Sequence, residues 1–376
     1  MLKILITGAN GFVGKNLQLH LAERKDVEVV CFTREHSTAQ LPALLQGVAF
    51  VFHMAGINRP QDPAEFVTGN ADLTQVLCDA VAEIAQTSGK KVPVVYTSST
   101  QAARDNPYGQ SKRAAEDALF ALQREHGVPV HVFRLPNVFG KWCKPNYNSA
   151  VATFCHNVAR ELPIQINDPA AVVTLVYVDD VIERFVQLMD GADAAVDSEG
   201  FATVTPQYTS TVGELAGLIQ TFKDSRQTLM TERVGTGLVR ALYATYVSYL
   251  PVEEFTYTVP MYDDPRGVFA EMLKTPDCGQ FSYFTAHPGI TRGGHYHHTK
   301  TEKFLVIKGQ ARFKFRHMQT GESHELVTSG AKAEIVETVP GWTHDITNIG
   351  SEEMIVMLWA NEVFDRQRPD TFACPL

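Results

Sequence analysis

The stretch Thr7-Gly8-Ala9-Asn10-Gly11-Phe12-Val13-Gly14 constrains this chain more than any other. Its three glycines, each three residues from the next, follow an apolar run, Leu2 to Ile6, and lead into an amphipathic run, Lys15 to Arg24. The apolar run reads as a buried parallel strand and the amphipathic one as a helix. Glycine lets the backbone turn sharply between them and leaves room where a side chain would stand. The helix N-terminus just beyond offers free N–H groups and a partial positive charge, a seat for a pyrophosphate. A second apolar strand follows at Val27 to Phe32. The order strand, turn, helix, strand points to an α/β fold, a Rossmann-type doubly wound parallel sheet that holds a dinucleotide. Thr7, Gly8, Gly11, Phe12, Val13 and Gly14 are the expected contacts.

The second strand ends at Thr33-Arg34-Glu35. An acid at that place would hold ribose hydroxyls, whereas an arginine suits an extra phosphate, so Thr33 and Arg34 point to NADPH. A third strand, Ala49 to His53, runs into Met54-Ala55-Gly56, where small residues admit the cofactor; His53, Ala55 and Gly56 are expected to flank it. A fourth, Val92 to Tyr96, ends in Thr97-Ser98-Ser99-Thr100. Then Asn106 can cap, and Pro107 begin, a helix that carries Tyr108 and Lys112 on one face. A nearby lysine cation would lower the phenol's pKa from about 10. Tyr108 could then give a proton to a carbonyl oxygen as hydride reaches its carbon, with Ser99, or its neighbours Ser98 and Thr100, holding that oxygen.

These motifs, with Arg134-Leu135-Pro136-Asn137-Val138-Phe139-Gly140 and Tyr177-Val178-Asp179-Asp180-Val181, resemble the extended short-chain dehydrogenase/reductase family over roughly residues 1 to 240. The resemblance implies a catalytic trio of Ser99, Tyr108 and Lys112. It also implies a substrate side formed by Lys141 to Ile166, with Asn137, Asn148 and Arg160 as sugar or diphosphate contacts. The chain departs from that family in the short stretch between serine and tyrosine.

From Phe255 onward the pattern changes to short alternating strands with Gly and Pro turns, such as FSYFTAHPG, EKFLVIKG and ARFKFRH, the signature of an all-β barrel. The expected division is 1–250 and 251–376. His295 and His297 alternate, Glu302 opens the next strand, and His344 follows in Pro340-Gly341-Trp342-Thr343-His344. The spacing G-x5-H-x-H-x4-E-x6-G, from Gly289 to Gly309, resembles the first cupin motif. Imidazoles and a carboxylate in that pattern suit a divalent metal, zinc first, with His295, His297, Glu302 and His344 as ligands. Arg292-Gly293-Gly294-His295-Tyr296 also resembles the metal-free deoxysugar epimerases of the same fold, in which His295 would be the base. Lys303, His298, Asp345 and Tyr296 are further candidate proton carriers, with Lys303 counted among the catalytic residues.

Taken whole, the chain resembles bifunctional enzymes of capsular polysaccharide and O-antigen synthesis on the path to UDP-N-acetyl-L-fucosamine. That resemblance implies a 4-keto UDP-N-acetyl-6-deoxyhexose. The cupin would epimerise it at C3 and the front domain would reduce it at C4, giving UDP-2-acetamido-2,6-dideoxy-L-talose. The alternative is a reductase whose cupin only binds, senses metal or dimerises. A formal charge of −9 argues against nucleic acid as partner, and no apolar leader or span argues against a membrane. Six scattered cysteines without a C-x-x-C pair suit reduced thiols in the cytoplasm. A homodimer is expected.

Overall fold

The computed structural model describes residues 1–376 and divides into two compact units. The first comprises Met1–Asn157, Glu161–Ala216 and Ala244–Tyr249; the second comprises Val158–Arg160, Gly217–Tyr243 and Leu250–Leu376.

In the first unit, β1 (Leu2–Thr7), β2 (Val27–Phe32), β3 (Phe50–His53), β4 (Val94–Ser99) and β5 (Val130–Leu135) form a parallel sheet in the order β2-β1-β3-β4-β5. The strands are apolar throughout because helices cover both faces, as in doubly wound folds. The expected fold class is what the structure shows. In this order the chain reverses direction between β1 and β3, and a ligand crevice opens at the carboxyl ends of those strands. The helix after the glycine turn, α1, spans Phe12–Ala22 and starts earlier than the amphipathic run suggested, because the glycine turn itself supplies its first turn. A second helix, α2 (Leu73–Ser88), and a third, α3 (Pro107–His126), pack on the sheet through Leu77, Val81, Ala115 and Leu119. A small sheet of β6 (Asn137–Phe139), β7 (Val172–Tyr177) and β8 (Tyr208–Thr211) stands apart.

One buried ion pair fixes α3 on the sheet. Glu116, 1% exposed, receives the Arg134 guanidinium at 2.7 Å and the Ser98 hydroxyl at 2.5 Å. Arg134 also lies 3.7 Å from the centre of the Phe201 ring. Arg134→Ala should destabilise the chain by about 3 kcal/mol, because it strands a buried carboxylate. Calorimetry of the purified variant checks this, and an unchanged transition would refute it.

The second unit holds two antiparallel sheets. One contains β9 (Met261–Asp264), β10 (Gly267–Thr275), β11 (Gly279–Ala286), β13 (Glu302–Lys308), β16 (Ile335–Glu337) and β18 (Met354–Ala360), in the order β16-β13-β18-β11-β10-β9. The other contains β12 (Thr291–Tyr296), β14 (Gln310–His317), β15 (Ser323–Ser329), β17 (Trp342–Asn348) and β19 (Phe372–Ala373), in the order β15-β14-β17-β12-β19. Phe284, Phe304 and Val356 from the first sheet meet Phe313, Phe315 and Ile346 from the second in one core. From β9 onward this is the all-β domain expected from the alternating strands; the helical residues of Gly217–Tyr243 group with it. No helix of the chain is long and apolar enough to cross a membrane.

Candidate active sites

Two glycines make the cofactor turn possible. Gly8 has φ +68°, and a Cβ there would stand 2.6 Å from the Ala55 nitrogen. A Cβ on Gly14 would stand 2.4 Å from the Gly8 carbonyl oxygen. The close approach leaves backbone and helix N-terminus facing a cleft of about 1810 Å³, a fit for a dinucleotide. Gly8, Gly11, Phe12, Val13, Gly14, Arg34 and Gly56 line it, as expected.

Thr7, Thr33, His53 and Ala55 do not line the cleft, and the expected direct contacts are corrected there. The Thr74 hydroxyl gives its proton to Asn70 O, so it accepts from His53 Nε2 at 2.8 Å. His53 Nδ1 therefore accepts from the Thr7 hydroxyl at 2.6 Å. Thr7 Oγ1 in turn accepts from the Ala55 N–H. Burial, then the Lys112 charge, pushes His53 down to about 3, so this neutral ring braces the loop from beneath. Thr33 is engaged with His36.

The proton-transfer residues meet at the end of β4. Asn106 caps α3 by accepting from the Gly109 N–H at 2.8 Å, and Pro107 takes the first helical position. Of the candidate hydroxyls, Ser98 is committed to Glu116, whereas Ser99 accepts only from the Gln101 N–H and keeps its proton free for the cleft. Ser99, Tyr108 and Lys112 all line the cleft. Lys112 is buried and donates to Tyr96 Oη at 3.2 Å and Thr97 O at 3.0 Å. Burial pushes Lys112 down to about 8, against the pull of Glu116. The expectation of a lowered phenol is overturned. Burial raises Tyr108, the nearby Ser99 hydroxyl opposing it, and Lys112 makes no hydrogen bond to it. A phenol that keeps its proton at neutral pH is the form that donates.

On the substrate side, Asn137 and Asn148 line the cleft, and Asn137 also donates to Thr174 O at 3.0 Å. Arg160 does not line it. Sequence reasoning missed Lys144 and Tyr147, which do. Lys144 Nζ lies 5.1 Å from the Tyr147 ring centre and the Arg59 guanidinium 5.8 Å from it. Their signal was the interleaving of cationic and aromatic residues in KWCKPNYN.

In the second unit, β12 and β17 pair His295 with His344, His297 lies just past β12, and Glu302 opens β13. Ligand atoms of His295, His297, Glu302 and His344 lie within 4.8 Å of one another. Burial, then His344, pushes His295 down to about 4, so it is neutral at neutral pH. Burial works against ionisation of Glu302, yet the contact with His297 Nε2 at 3.2 Å holds its carboxyl well below the usual range. Neither ring nitrogen of buried His344 has a hydrogen-bond partner; its Nε2 is 3.5 Å from Glu302 Oε2. Unpaired imidazole nitrogens around an ionised carboxylate fit a divalent cation.

Lys303 is not brought to this cluster. Side chains alternate along β13, so Glu302 points in and Lys303 points out, pairing with Glu337 at 2.5 Å. The lysine at the site is Lys300, 5% exposed, with Nζ 4.0 Å from Glu302 Oε1. His298 is exposed, Asp345 lies on the face of β17 opposite His344, and the Tyr296 ring stacks on Phe372.

Residues 4–202 match the NAD dependent epimerase/dehydratase family, and residues 262–372 match the Polysaccharide biosynthesis C-terminal domain. The chain is 62% identical over 373 residues to a UDP-2-acetamido-2,6-beta-L-arabino-hexul-4-ose reductase of Pseudomonas aeruginosa, covering 99% of this chain and 98% of that one. The capsular polysaccharide assembling protein CapF of Staphylococcus aureus superposes with a TM-score of 0.89 at 42% identity, over 99% of this chain and all of that one. A UDP-glucuronic acid 4-epimerase of Bacillus cereus shares the front fold, with a TM-score of 0.55 at 19% identity, over 66% of this chain and 98% of that one.

Proposed function

The chain belongs to the NAD dependent epimerase/dehydratase family, joined to a polysaccharide biosynthesis C-terminal domain, and from that premise we propose a bifunctional nucleotide-sugar enzyme. Residues 251–376 epimerise C3 of a 4-keto UDP-N-acetyl-6-deoxyhexose. Residues 1–250 then reduce C4, giving UDP-2-acetamido-2,6-dideoxy-L-talose on the path to UDP-N-acetyl-L-fucosamine. The observation that carries this reading is Ser99, Tyr108 and Lys112 lining one cleft in one unit and a convergent His/Glu cluster in the other, in a chain 62% identical throughout to a protein named for a 4-ulose substrate.

A C4 ketone acidifies the C3 hydrogen, because the carbanion left behind spreads onto oxygen. A base takes that proton from one face and an acid returns one on the other, so atoms and electrons balance without a redox partner. A divalent metal, zinc first, held by His295, His297, Glu302 and His344, supplies Lewis-acid stabilisation of the oxygen charge. Lys300, buried beside Glu302, replaces Lys303 as the proton carrier. Reduction removes the ketone and with it the acidity, so epimerisation comes first. NADPH supplies the hydride. Ser99 holds the C4 oxygen, Tyr108 protonates it, and buried Lys112 lines the same cleft, held by Tyr96 and Thr97.

Conversion with NADPH deuterated at its transferable position tests the whole sequence. NMR should find the label at C4 and the C3 configuration inverted; retained configuration at C3 sinks the assignment. Arg34, at the end of β2 and lining the cleft, pairs with the NADPH phosphate. Arg34→Ala should weaken NADPH binding by about 10- to 100-fold and leave NADH within about twofold. Equal losses for both cofactors in a fluorescence titration would refute that pairing. The protein works as a cytoplasmic homodimer, which sedimentation of the purified chain tests for subunit number.

A further inference from the structure

The last residues of the chain are stitched along the histidine strand. Phe372–Ala373 pair with Tyr296 and His295, and the Cys374 N–H donates to Gly294 O at 2.7 Å. The Thr343 hydroxyl donates to Cys374 O, and Arg316 Nη2 donates to Pro375 O at 3.1 Å. At the head of this segment Asp370 does two things at once. Its carboxylate accepts from the backbone N–H groups of His298 at 2.9 Å and of Thr299 and Lys300 at 2.8 Å, and from the Thr299 hydroxyl at 3.0 Å. Its backbone carbonyl lies 2.6 Å from His297 Nδ1.

A carbonyl can only accept, so the proton on His297 sits on Nδ1. Nε2 is then left facing Glu302 Oε2 at 3.2 Å. Either it carries a second proton, or its lone pair meets a carboxylate oxygen and a cation resolves the contact. The same tail reaches the cluster's ammonium group, since Lys300 Nζ donates to Thr371 Oγ1 at 2.9 Å. Nothing in the covalent order links these groups. Asp370 stands 73 residues beyond His297 and is the residue that fixes both the ring and the loop that follows it.

We propose that Asp370 is the positioning residue of the metal centre, setting the tautomer and direction of His297 and anchoring the 298–300 loop that carries Lys300. The proposal rests on the metal reading given above. An imidazole ligand whose other nitrogen is fixed by an outer partner is more basic and loses less freedom on binding, and such partners are commonly worth 10- to 100-fold in affinity. The carboxylate acts through the loop: with three successive N–H groups tied to it, the backbone cannot swing Asp370 O away from the ring.

The test uses the full-length protein stripped of metal, with Zn2+ added against a chromophoric chelator. Asp370→Ala and Asp370→Gly should each bind Zn2+ about 10- to 100-fold more weakly than the parent, and Asp370→Asn should fall between. The glycine variant matters because Asp370 has φ +36°, which glycine adopts without strain while it removes the carboxylate. A second measurement is the rise in thermal midpoint that Zn2+ produces, which shrinks as affinity falls. A glycine variant within twofold of the parent's affinity overturns the proposal. So does one with a lower metal-free midpoint but the full Zn2+-dependent rise, since the role would then be structural alone. A parent chain that takes up no Zn2+ overturns the metal reading and this proposal together, which distinguishes the two failures.

Discussion

Tyr108→Phe lowers the single-turnover rate of C4 reduction by about 1000-fold, and NADPH binding stays within about threefold of the parent. The substitution removes one oxygen from the second position of α3 and leaves the ring, which packs 5.7 Å from Phe66, in place. The Ser99 hydroxyl keeps its acceptor contact with the Gln101 N–H at 3.2 Å, so the substitution strands no polar group there. Without the phenol the oxygen that receives negative charge at C4 has a hydrogen-bond donor in Ser99 but no acid, and the proton must come from water. Stopped-flow loss of NADPH absorbance measures this. A fall of less than about tenfold would mean another group is the acid.

How far the sequence carried this reading depended on whether a signal was local. The glycine turn and the Tyr108–Lys112 pair sit within single elements, where period and spacing state which side chains share a face. The His295–His297–Glu302 group was legible for the same reason, its members lying on a strand end and the next strand's start. Lys303 failed by one step of parity: once Glu302 is fixed inward, its neighbour must point out, and the inward lysine lies before the strand begins. The raised phenol failed because helical spacing says nothing about burial, or about where a lysine's ammonium group points: here it turns to Tyr96 and Thr97. His53 was read as a contact because its strand ends at the cleft, yet its ring is wholly buried between two threonine hydroxyls. Glu116 with Arg134, and Asp370 with His297, join elements distant in the chain, and no local pattern announces such pairs.

The second large effect concerns hydrogen at C3. In deuterated water and without NADPH, the parent should place deuterium at C3 of the 4-keto UDP-sugar, and Tyr108→Phe should do so at the parent rate, because the reductase donor takes no part in enolisation. His295→Ala should lose the exchange by at least about 100-fold. His295 is the cluster member paired across the strands with His344, and as a neutral imidazole it serves either as ligand or as base. Chelation separates the roles. If the metal carries the charge, verified metal-free protein loses exchange and Zn2+ restores it; if His295 is the base, metal-free protein exchanges at full rate. The two lysines then divide the remaining chemistry. Lys303 is a surface partner of Glu337, both side chains more than two-fifths exposed, so Lys303→Met should change the rate less than about twofold. Lys300 is buried against Glu302, and Lys300→Met should cost about 100-fold, because it removes the one ammonium group the fold places at the cluster. Mass spectrometry of the recovered sugar reads every arm, and the opposite ranking of the two lysines would return the proton to the outer face of β13 and undo the assignment.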